Sequence, residues 1–329
     1  MMDRREFIAA VGFGLITVPP MIRAQQPAKV RRIGCILATS RAMAEAEGVT
    51  TAMVEGLRDL GWIEGQNLMI EYRSAENRYE LYEKLARELV ALKVDLIVTA
   101  SVNAVAAAKN ATDNIPIVMV VAADPVKFGL VASLARPGSN VTGSALPPID
   151  WGKWLELALE SVSGASRIAV IGNPDNRVYA DYVVQNEAAA KRLGVQLQML
   201  PVARAAQLDE AFVAMKREKA AALVVGPDAL YLSQMQEISD RALASRLPLI
   251  GPSRRAAERG ALIGYGIDAR SAWHGAATYI DRILKGAKPG DLPVAQPNKF
   301  ELVINLKTAK ALGIAIPQSL VVRADEVIQ

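Results

Sequence analysis

Short apolar runs alternate with amphipathic stretches along most of the chain. In the first half, runs rich in Ile, Val and Leu predict strands, and the stretches between them carry apolar residues at helical spacing. Strands are predicted at 32–38, 68–72, 96–99 and 117–121, and helices at 42–60, 79–92 and 103–111. Because these strands are continuously apolar, they are expected in a parallel sheet with both faces covered.

The same alternation restarts near Gly143. Strands are predicted at 167–171, 196–200, 222–225 and 262–264, separated by helices that include 179–193 and 233–246. VDLIVTAS followed by a helix and NIPIV in the first half is echoed by AALVVGPD, a helix and RLPLI in the second, a pattern that fits either duplication or independent βαβ units. The pattern predicts an α/β fold of two doubly wound lobes with parallel sheets.

The first 24 residues have the pattern of a targeting segment. Arg4 and Arg5 precede a short apolar stretch that Pro19 and Pro20 interrupt. A charged start, a short apolar run and a small-residue zone are typical of a twin-arginine export signal, with cleavage expected near Ala24. A disordered tail and a retained N-terminal membrane anchor are the alternatives. The segment predicts a periplasmic protein that is not embedded in the membrane.

Composition narrows the possible functions. With 329 residues, 51% of them hydrophobic, the chain can form two domains with large cores. Its 38 basic and 34 acidic residues give a net charge of +4, too small for a nucleic-acid-binding stripe. Cys35 and His274 are the single Cys and single His, so a Cys/His metal site is excluded and no cofactor is expected. The sequence has no Walker loop and no G-x-S-x-G motif, so no catalytic residue is assigned.

Polar residues follow the predicted strands at their carboxyl ends. Ligands of open α/β sheets bind beyond these ends, near helix N-termini. The residues placed there are Thr39, Ser40, Ser101, Asn103, Asp124, Asn173, Asp228, Tyr265 and Asp268. The polar ones among them could equally serve as helix caps or turn residues. Taken together, they would line one cleft if the two lobes faced each other.

Several long segments of the chain resemble one known family. They are RRIGCILA (31–38), GLRDLGWIEGQNLMIEYR (56–73), ELVALKVDLIVTAS (88–101), IPIVMV with ADPVKFGLVASLARPGSNVTG (115–143), and ILKGAKPGDLPVAQPNKFELVINLKTAKALGIAIPQSL (283–320). They are similar to the periplasmic substrate-binding proteins of ABC transporters, of the tryptophan/tyrosine type. In the loop after the fourth strand, Ala123 departs from the Gly expected in that pattern.

The resemblance implies a type I periplasmic binding protein, with a ligand cleft between two lobes joined by a three-stranded hinge. The crossings are expected near 142–148, near 265–268 and within 291–299. Lobe 1 would comprise 25–143 and 269–292, and lobe 2 would comprise 144–268 and 293–329. Gly143, Gly266 and Pro293 suit a hinge. The implied partners are a small-molecule ligand and the subunits of an ABC permease, and the protein is expected to be a monomer.

Within this cleft, the resemblance and the chemistry of the residues suggest roles. Ser101 and Asn103, with the free N–H groups of their helix, are expected to hold a ligand carboxylate, supplemented by Thr39 and Ser40. An ammonium or hydroxyl group would suit Asp124 or Asp268. The candidate aromatic walls are Tyr265, Tyr231 and Trp151, the last of which is alternatively packed under the following helix. The remaining candidate ligand-binding residues are Ser144, Asn173 and Asp228.

The expected ligand is therefore a small carboxylate-bearing molecule, aromatic or amino-acid-like. Two other classes of function remain open from the sequence. One is a sensor of the same fold that reports its ligand state to a membrane receptor. The other is a periplasmic hydrolase that uses an Asp and a Ser.

Overall fold

The computed structural model describes residues 30–148, 150–296 and 300–329. The first lobe is built on five parallel strands: β1 (Arg31–Leu37), β2 (Leu68–Ser74), β3 (Leu96–Ala100), β4 (Ile117–Ala122) and β5 (Val141–Ala145), in the order β2-β1-β3-β4-β5. Its helices are α1 (Arg41–Ala46), α2 (Val49–Asp59), α3 (Tyr82–Ala91) and α4 (Val102–Ala111). The predicted export segment lies outside the described residues.

The second lobe contains seven strands: β6 (Arg167–Gly172), β7 (Gln196–Pro201), β8 (Ala222–Val225), β9 (Leu249–Gly251), β10 (Ile263–Ile267), β11 (Phe300–Asn305) and β12 (Glu326–Ile328), in the order β12-β11-β10-β9-β8-β6-β7. The remaining helices are α5 (Gly152–Ser161), α6 (Tyr179–Leu193), α7 (Leu208–Arg217), α8 (Ala229–Ser233), α9 (Met235–Ala244), α10 (Arg254–Glu258), α11 (Ala269–Leu284), α12 (Leu306–Leu312) and α13 (Gln318–Arg323). All of them except α11 belong to the second lobe.

The predicted fold class, α/β with two sheet-based lobes, is confirmed, but the second sheet is mixed and not wholly parallel. β10 and β11 pair antiparallel, whereas the other neighbours in that sheet are parallel. The reason is the path of the chain: β10 leads out of the lobe, and β11 leads back in from the opposite direction.

Two predicted helices differ from the structure in their continuity. The stretch 42–60 is divided into α1 and α2 at Gly48, whose φ of 71° is left-handed and ends the first segment. Likewise, 233–246 is covered by the last residue of α8 and the separate helix α9. Strand β5 was predicted only as a crossing segment, because its sequence VTGSA is short and contains Gly143.

Each sheet is covered on both faces by buried apolar side chains. In the first lobe, Leu89 of α3 and Ile97 of β3 belong to one cluster, and Leu57 of α2 and Ile280 of α11 belong to the cluster on the other face. Two corresponding clusters flank the second sheet. Because both faces are covered, only the strand ends and the helix N-termini are free to shape a binding site.

Three segments connect the lobes, and two of them pair with each other. Ala145 N–H donates to Ala295 O at 2.8 Å, and Ala295 N–H donates to Gly143 O at 3.0 Å. The Thr142 hydroxyl donates to Leu292 O at 2.7 Å. β5 extends two residues beyond the predicted boundary at 143/144, and the domain boundaries themselves stay predictions.

Gly143 occupies a position that no other residue fits. Its φ is +128°, and a Cβ atom there would lie 2.1 Å from Met119 O. The pairing of β4 with β5 is irregular between Met119 and Ala122, and this is where the backbone of Val121 takes a φ of +50°. The first crossing therefore leaves the sheet through a close backbone contact that glycine alone allows.

Candidate ligand cleft between the lobes

The first-lobe edge of the cleft combines helix caps with strained backbone. Ser101 caps α4, accepting from Ala104 N–H at 3.4 Å, and its φ of 73° and ψ of 154° fall in a region occupied almost entirely by glycine. At the end of the neighbouring β4, Val121 and Asp124 have φ values of +50° and +34°. Such conformations cost about 1–3 kcal/mol each and cluster at functional sites. Strained backbone is therefore found where β3 and β4 end, at the edge that faces the second lobe.

The other first-lobe candidates also serve as caps or turn residues in the structure. Ser40 caps α1, accepting from Met43 N–H at 3.3 Å, while the Thr39 hydroxyl donates to Ser40 O at 3.4 Å. Asp124 accepts from Lys127 N–H at 3.1 Å. At the crossings, Ser144 accepts from Val121 N–H at 3.3 Å, and Asp268 caps α11 by accepting from Ser271 N–H at 3.1 Å. The contacts of Ser40, Asp124 and Asp268 match the cap or turn alternative stated for them, and the role of all five residues toward a ligand stays a prediction.

The second-lobe edge is organised around one buried carboxylate. Asp228 is only 7% exposed and caps α8 through Leu230 N–H at 3.0 Å. Its Oδ1 also accepts from the Asn173 side-chain amide at 3.2 Å, and its Oδ2 accepts from Asn176 at 3.0 Å. The fourth donor is the hydroxyl of Tyr79 at 2.6 Å, which comes from the first lobe.

All four donors to Asp228 are neutral groups. Within the described residues, no Lys, Arg or His nitrogen lies within 4.0 Å of its carboxylate oxygens. A buried carboxylate normally needs a cation or a dense set of hydrogen bonds to offset the loss of hydration. The network around Asp228 supplies the hydrogen bonds and leaves the negative charge unneutralised.

The two lobes are joined across the cleft by several polar contacts besides Tyr79–Asp228. Asn77 donates to Ser233 Oγ at 3.0 Å. Asn103, whose predicted role as a carboxylate ligand stays a prediction, reaches the loop after β6: its Nδ2 donates to Asp175 O at 3.1 Å, and its Oδ1 accepts from Arg177 N–H at 3.1 Å. Two ion pairs, Lys127–Asp181 at 2.6 Å and Arg259–Glu47 at 3.1 Å, also join the lobes, as does the hydrogen bond from Arg255 Nη2 to Ala46 O at 2.8 Å. The lobes are therefore closed on each other.

The Tyr79 hydroxyl stays protonated over the whole physiological pH range. Burial, and then the negative charge of Asp228, raise the pKa of Tyr79 well above that of a free tyrosine. A protonated hydroxyl can donate to the carboxylate, so Tyr79 keeps the proton that the cross-lobe bond requires near neutral pH.

The three predicted aromatic walls are mainly packed within the second lobe. Trp151 is 6% exposed and stacks on Trp154, with ring centroids 5.6 Å apart, which places it against α5. Tyr265 contacts the rings of Trp154 and Phe300, at centroid distances of 5.5 and 5.3 Å. Tyr231 is 1% exposed, and its hydroxyl donates to Val202 O at 2.7 Å. Trp151 and Tyr231 nonetheless line the pocket described next.

A small pocket lies where β6 and β8 end, beneath the first turn of α6. It has a volume of about 20 Å³, which is room for one water-sized group. Four predicted residues share its wall: Trp151, Asn173, Asp228 and Tyr231. The structure thus brings the second-lobe candidates together, apart from Tyr265 and Asp268, while Ser101 and Asn103 belong to the opposite lobe.

Sequence reasoning missed two groups of residues at the cleft. Asn77 and Tyr79 follow β2, whose end was predicted at residue 72, although the strand continues to Ser74. Applying the strand-end rule to this strand would have found Asn77. Tyr179 and Tyr182 lie in the first turn of α6, where a search for aromatic side chains at helix N-termini would have found them.

Among the described residues, no helix is long and apolar enough to cross a membrane, and no three His, Cys, Asp or Glu side chains are grouped to hold a metal ion. Residues 42–328 match the family model described as ABC transporter substrate binding protein. The chain belongs to this family. Its members are solute-binding proteins with the type I periplasmic binding fold.

A curated relative supports the same assignment. This substrate-binding protein is 31% identical over 261 residues to the tyrosine-binding protein of Clostridioides difficile (strain R20291), which covers 79% of this chain and 75% of that one.

Two solved structures show how the lobes are arranged. An ABC domain from Streptococcus pneumoniae in complex with L-Trp has a TM-score of 0.81 at 25% identity. The ligand-free, open structure of a substrate-binding protein with adhesive properties from Clostridium difficile has a TM-score of 0.64 at 27% identity. Both matches cover 91% of this chain and 99% of the other. By TM-score, this protein resembles the L-Trp complex more closely than the ligand-free, open structure.

Proposed function

We propose that this protein captures an aromatic amino acid, or a closely similar molecule, between its lobes and delivers it to an ABC permease. The observation that carries the proposal is the buried Asp228 carboxylate, which lies at the cleft and is surrounded by neutral donors only. A ligand ammonium group would supply the missing positive charge in a site shielded from water.

Lobe separation would give the ligand access to Asp228. The hydrogen bond from Tyr79 joins the two lobes, so it must break when they part. Oδ2 of Asp228 is then free to accept a hydrogen bond from a ligand in the cleft. Asn173, Asn176 and Leu230 belong to the second lobe and would keep the carboxylate in place. The ammonium site is therefore prearranged in the open protein, which lowers the cost of binding.

The ligand carboxylate would lie at the N-terminus of α4 in the opposite lobe. Free N–H groups and the helix dipole favour an anion there. Ser101 caps α4 at this end, and Asn103 would become free to reach the ligand when the lobes part. A ligand bound through an ammonium at one lobe and a carboxylate at the other would favour the closed form.

Aromatic character is supported by the pocket wall and by the relatives. Trp151, Tyr179 and Tyr182 present ring surfaces beside the Asp228 network. One relative is named for tyrosine, and a solved structure with the same fold holds L-Trp. Export to the periplasm through the segment 1–24 and action as a monomer complete the proposal.

Isothermal titration calorimetry of the purified protein tests this proposal. L-Tyrosine and L-tryptophan are compared with tyramine, which lacks the carboxylate, and with 3-(4-hydroxyphenyl)propionate, which lacks the ammonium. We expect the amino acids to bind and both analogues to bind at least about 100-fold more weakly, since each leaves a buried polar group unpaired. Equal binding of the propionate would rule out the role of Asp228, and equal binding of tyramine would rule out the carboxylate site.

The double variant Ser101→Ala with Asn103→Ala tests the carboxylate site from the protein side. Its affinity for L-tyrosine should fall, while its affinity for tyramine should stay as weak as that of the wild type. If the double variant folds and binds L-tyrosine with unchanged affinity, these two residues do not hold the carboxylate.

A further inference from the structure

Tyr182 is a buried tyrosine whose hydroxyl has no partner. The side chain is 6% exposed, and its hydroxyl oxygen is wholly shielded from solvent. Within residues 30–148, 150–296 and 300–329, no group is placed to form a hydrogen bond with it. A buried hydroxyl without a partner costs stability, and native proteins rarely retain one without a use.

The neighbouring Tyr231 shows the usual arrangement for such a group. Its side chain is buried to a similar degree, and its hydroxyl donates to Val202 O at 2.7 Å. Both tyrosines line the same pocket, so the contrast between them concerns the hydroxyl group and not the location.

The backbone beneath Tyr182 is shaped to hold its ring. A Cβ atom on Gly226 would lie 2.9 Å from both Cζ and the hydroxyl oxygen of Tyr182, and one on Gly172 would lie 3.2 Å from Cδ1. Neither glycine has a positive φ, so their backbone conformation does not require glycine. What they provide is space for the ring of Tyr182. The two strand ends thus leave the space that the phenol ring of Tyr182 occupies beside the pocket.

The pocket admits a polar group but not a ring. Its volume of about 20 Å³ fits one hydroxyl or one N–H edge, while an aromatic ring would remain in the cleft. Burial raises the pKa of Tyr182, so its hydroxyl is neutral and can both donate and accept. A neutral phenol can therefore pair with the hydroxyl of a phenol ligand or accept from the N–H of an indole.

We propose that Tyr182 is a specificity-determining residue whose hydroxyl pairs with a polar atom on the ligand's ring. The inference rests on the function proposed above and narrows it to aromatic ligands that carry a hydroxyl or N–H group on the ring. A plain phenyl ring would leave the Tyr182 hydroxyl unpaired, as it is in the absence of ligand. Sites that hydrogen-bond a ligand group discriminate strongly against analogues lacking it.

The test compares L-tyrosine, L-tryptophan and L-phenylalanine by calorimetry on the wild type and on Tyr182→Phe. We expect the wild type to prefer the first two over L-phenylalanine by about ten-fold or more, and the variant to bind all three within about two-fold. The melting temperature of the ligand-free variant should be unchanged or higher, because no internal hydrogen bond is lost. Tyr231→Phe removes a partnered hydroxyl, and its melting temperature should fall.

Three results would overturn the inference. If Tyr182→Phe keeps the wild-type preference, its hydroxyl does not contact the ring, while the proposed function stands. If the ligand-free variant melts at a lower temperature and loses affinity for all three ligands equally, the hydroxyl has a structural partner such as an ordered water molecule. If the wild type binds none of the three amino acids, the proposed ligand class is wrong and this inference falls with it.

Discussion

The two edges of the cleft are built in different ways. At the first-lobe edge, the non-glycine residues with positive φ include Ser101 directly after β3, Val121 near the end of β4, and Asp124 two residues beyond that strand. In the described part of the second lobe, such residues are Lys219 and Arg246, which precede β8 and β9 at the far end of the sheet. The second-lobe edge relies instead on the hydrogen bonds around Asp228.

The two edges therefore illustrate two ways of fixing groups in place before a ligand binds: strained backbone and a buried network of side-chain hydrogen bonds. Strained backbone holds N–H groups and short side chains in fixed directions, at a cost in stability. A buried side-chain network fixes a charge in place and is stabilising only while every partner is present. The first lobe should therefore gain stability when strain is removed, and the second lobe should lose stability when any one partner is removed.

The largest effect is expected at the first crossing, where Gly143→Ala tests the dependence of the first lobe on its backbone. The new methyl group would lie 2.1 Å from Met119 O in a conformation that non-glycine residues avoid. We expect the free energy of unfolding, measured with urea, to fall by about 4 kcal/mol or more. Gly129→Ala is the matched control: its φ is +67° with nothing within 4 Å, so it should cost only about 1 kcal/mol. Equal losses in the two variants would contradict the close contact.

Asp228→Asn tests the network of the second lobe. The amide keeps the shape of the carboxylate but carries no negative charge. Its NH₂ group is itself a donor and would face the donors that now bind the carboxylate oxygens. We expect a loss of about 3 kcal/mol in the free energy of unfolding, together with a large loss of affinity for amino acids. Asp175→Asn, which alters an exposed carboxylate in the adjacent loop, should change stability by less than about 0.5 kcal/mol. A stable Asp228→Asn protein with normal affinity would show that the charge is not used.

Tyr79→Phe removes the bond that joins the two edges. The bond at 2.6 Å exists only in the closed arrangement, and a hydrogen bond to a charged acceptor contributes about 2 kcal/mol. The ligand-free variant should therefore shift toward the open form, visible as a larger radius of gyration in small-angle X-ray scattering. Tyr72→Phe keeps its ring under Arg41 within the first lobe and serves as the control. An unchanged radius of gyration in Tyr79→Phe would mean that the other cross-lobe contacts suffice for closure.

The smallest effect is expected at Ser101. Here a substitution that relieves strain should raise stability, whereas a substitution of Asp228 at the other edge should lower it. Ser101→Gly relieves the strained φ, and glycine costs little as a helix cap, so the variant should be as stable as the wild type or up to about 1 kcal/mol more stable. Ser101→Ala keeps the strain and loses the cap, so it should be less stable than Ser101→Gly. Both should bind amino acids more weakly. A loss of stability in Ser101→Gly would show that the conformation is not strained.

Much of this architecture could be predicted from the chain. Strands such as β3 and β4 can be predicted from their continuous apolar sequence, because both faces of a parallel sheet are buried. β11 and its antiparallel direction could not be predicted in the same way, because direction depends on where the chain re-enters the lobe and not on local sequence.

The grouping of the candidate residues was predictable where side chains follow strand ends, as for Asn173 and Asp228, which contact each other. It was not predictable where the backbone or a distant element decides. Nothing local reveals that Ser101 has a left-handed φ, and the partner of Tyr79 lies 149 residues away. Trp151 and Tyr231 were recognised as aromatic candidates, but whether a ring faces a cleft or a core depends on packing between elements.

The stacked indoles of Trp151 and Trp154 give the second lobe a spectroscopic marker of its own. Rings with centroids 5.6 Å apart and planes inclined by 25° couple their strong far-ultraviolet transitions and should produce a paired band in far-ultraviolet circular dichroism. Trp151 also lines the pocket, whereas Trp62 and Trp273 lie in the first lobe. Filling the pocket should therefore alter this band. Occupancy can then be followed in the unmodified protein without an attached dye, while the radius of gyration reports on lobe closure.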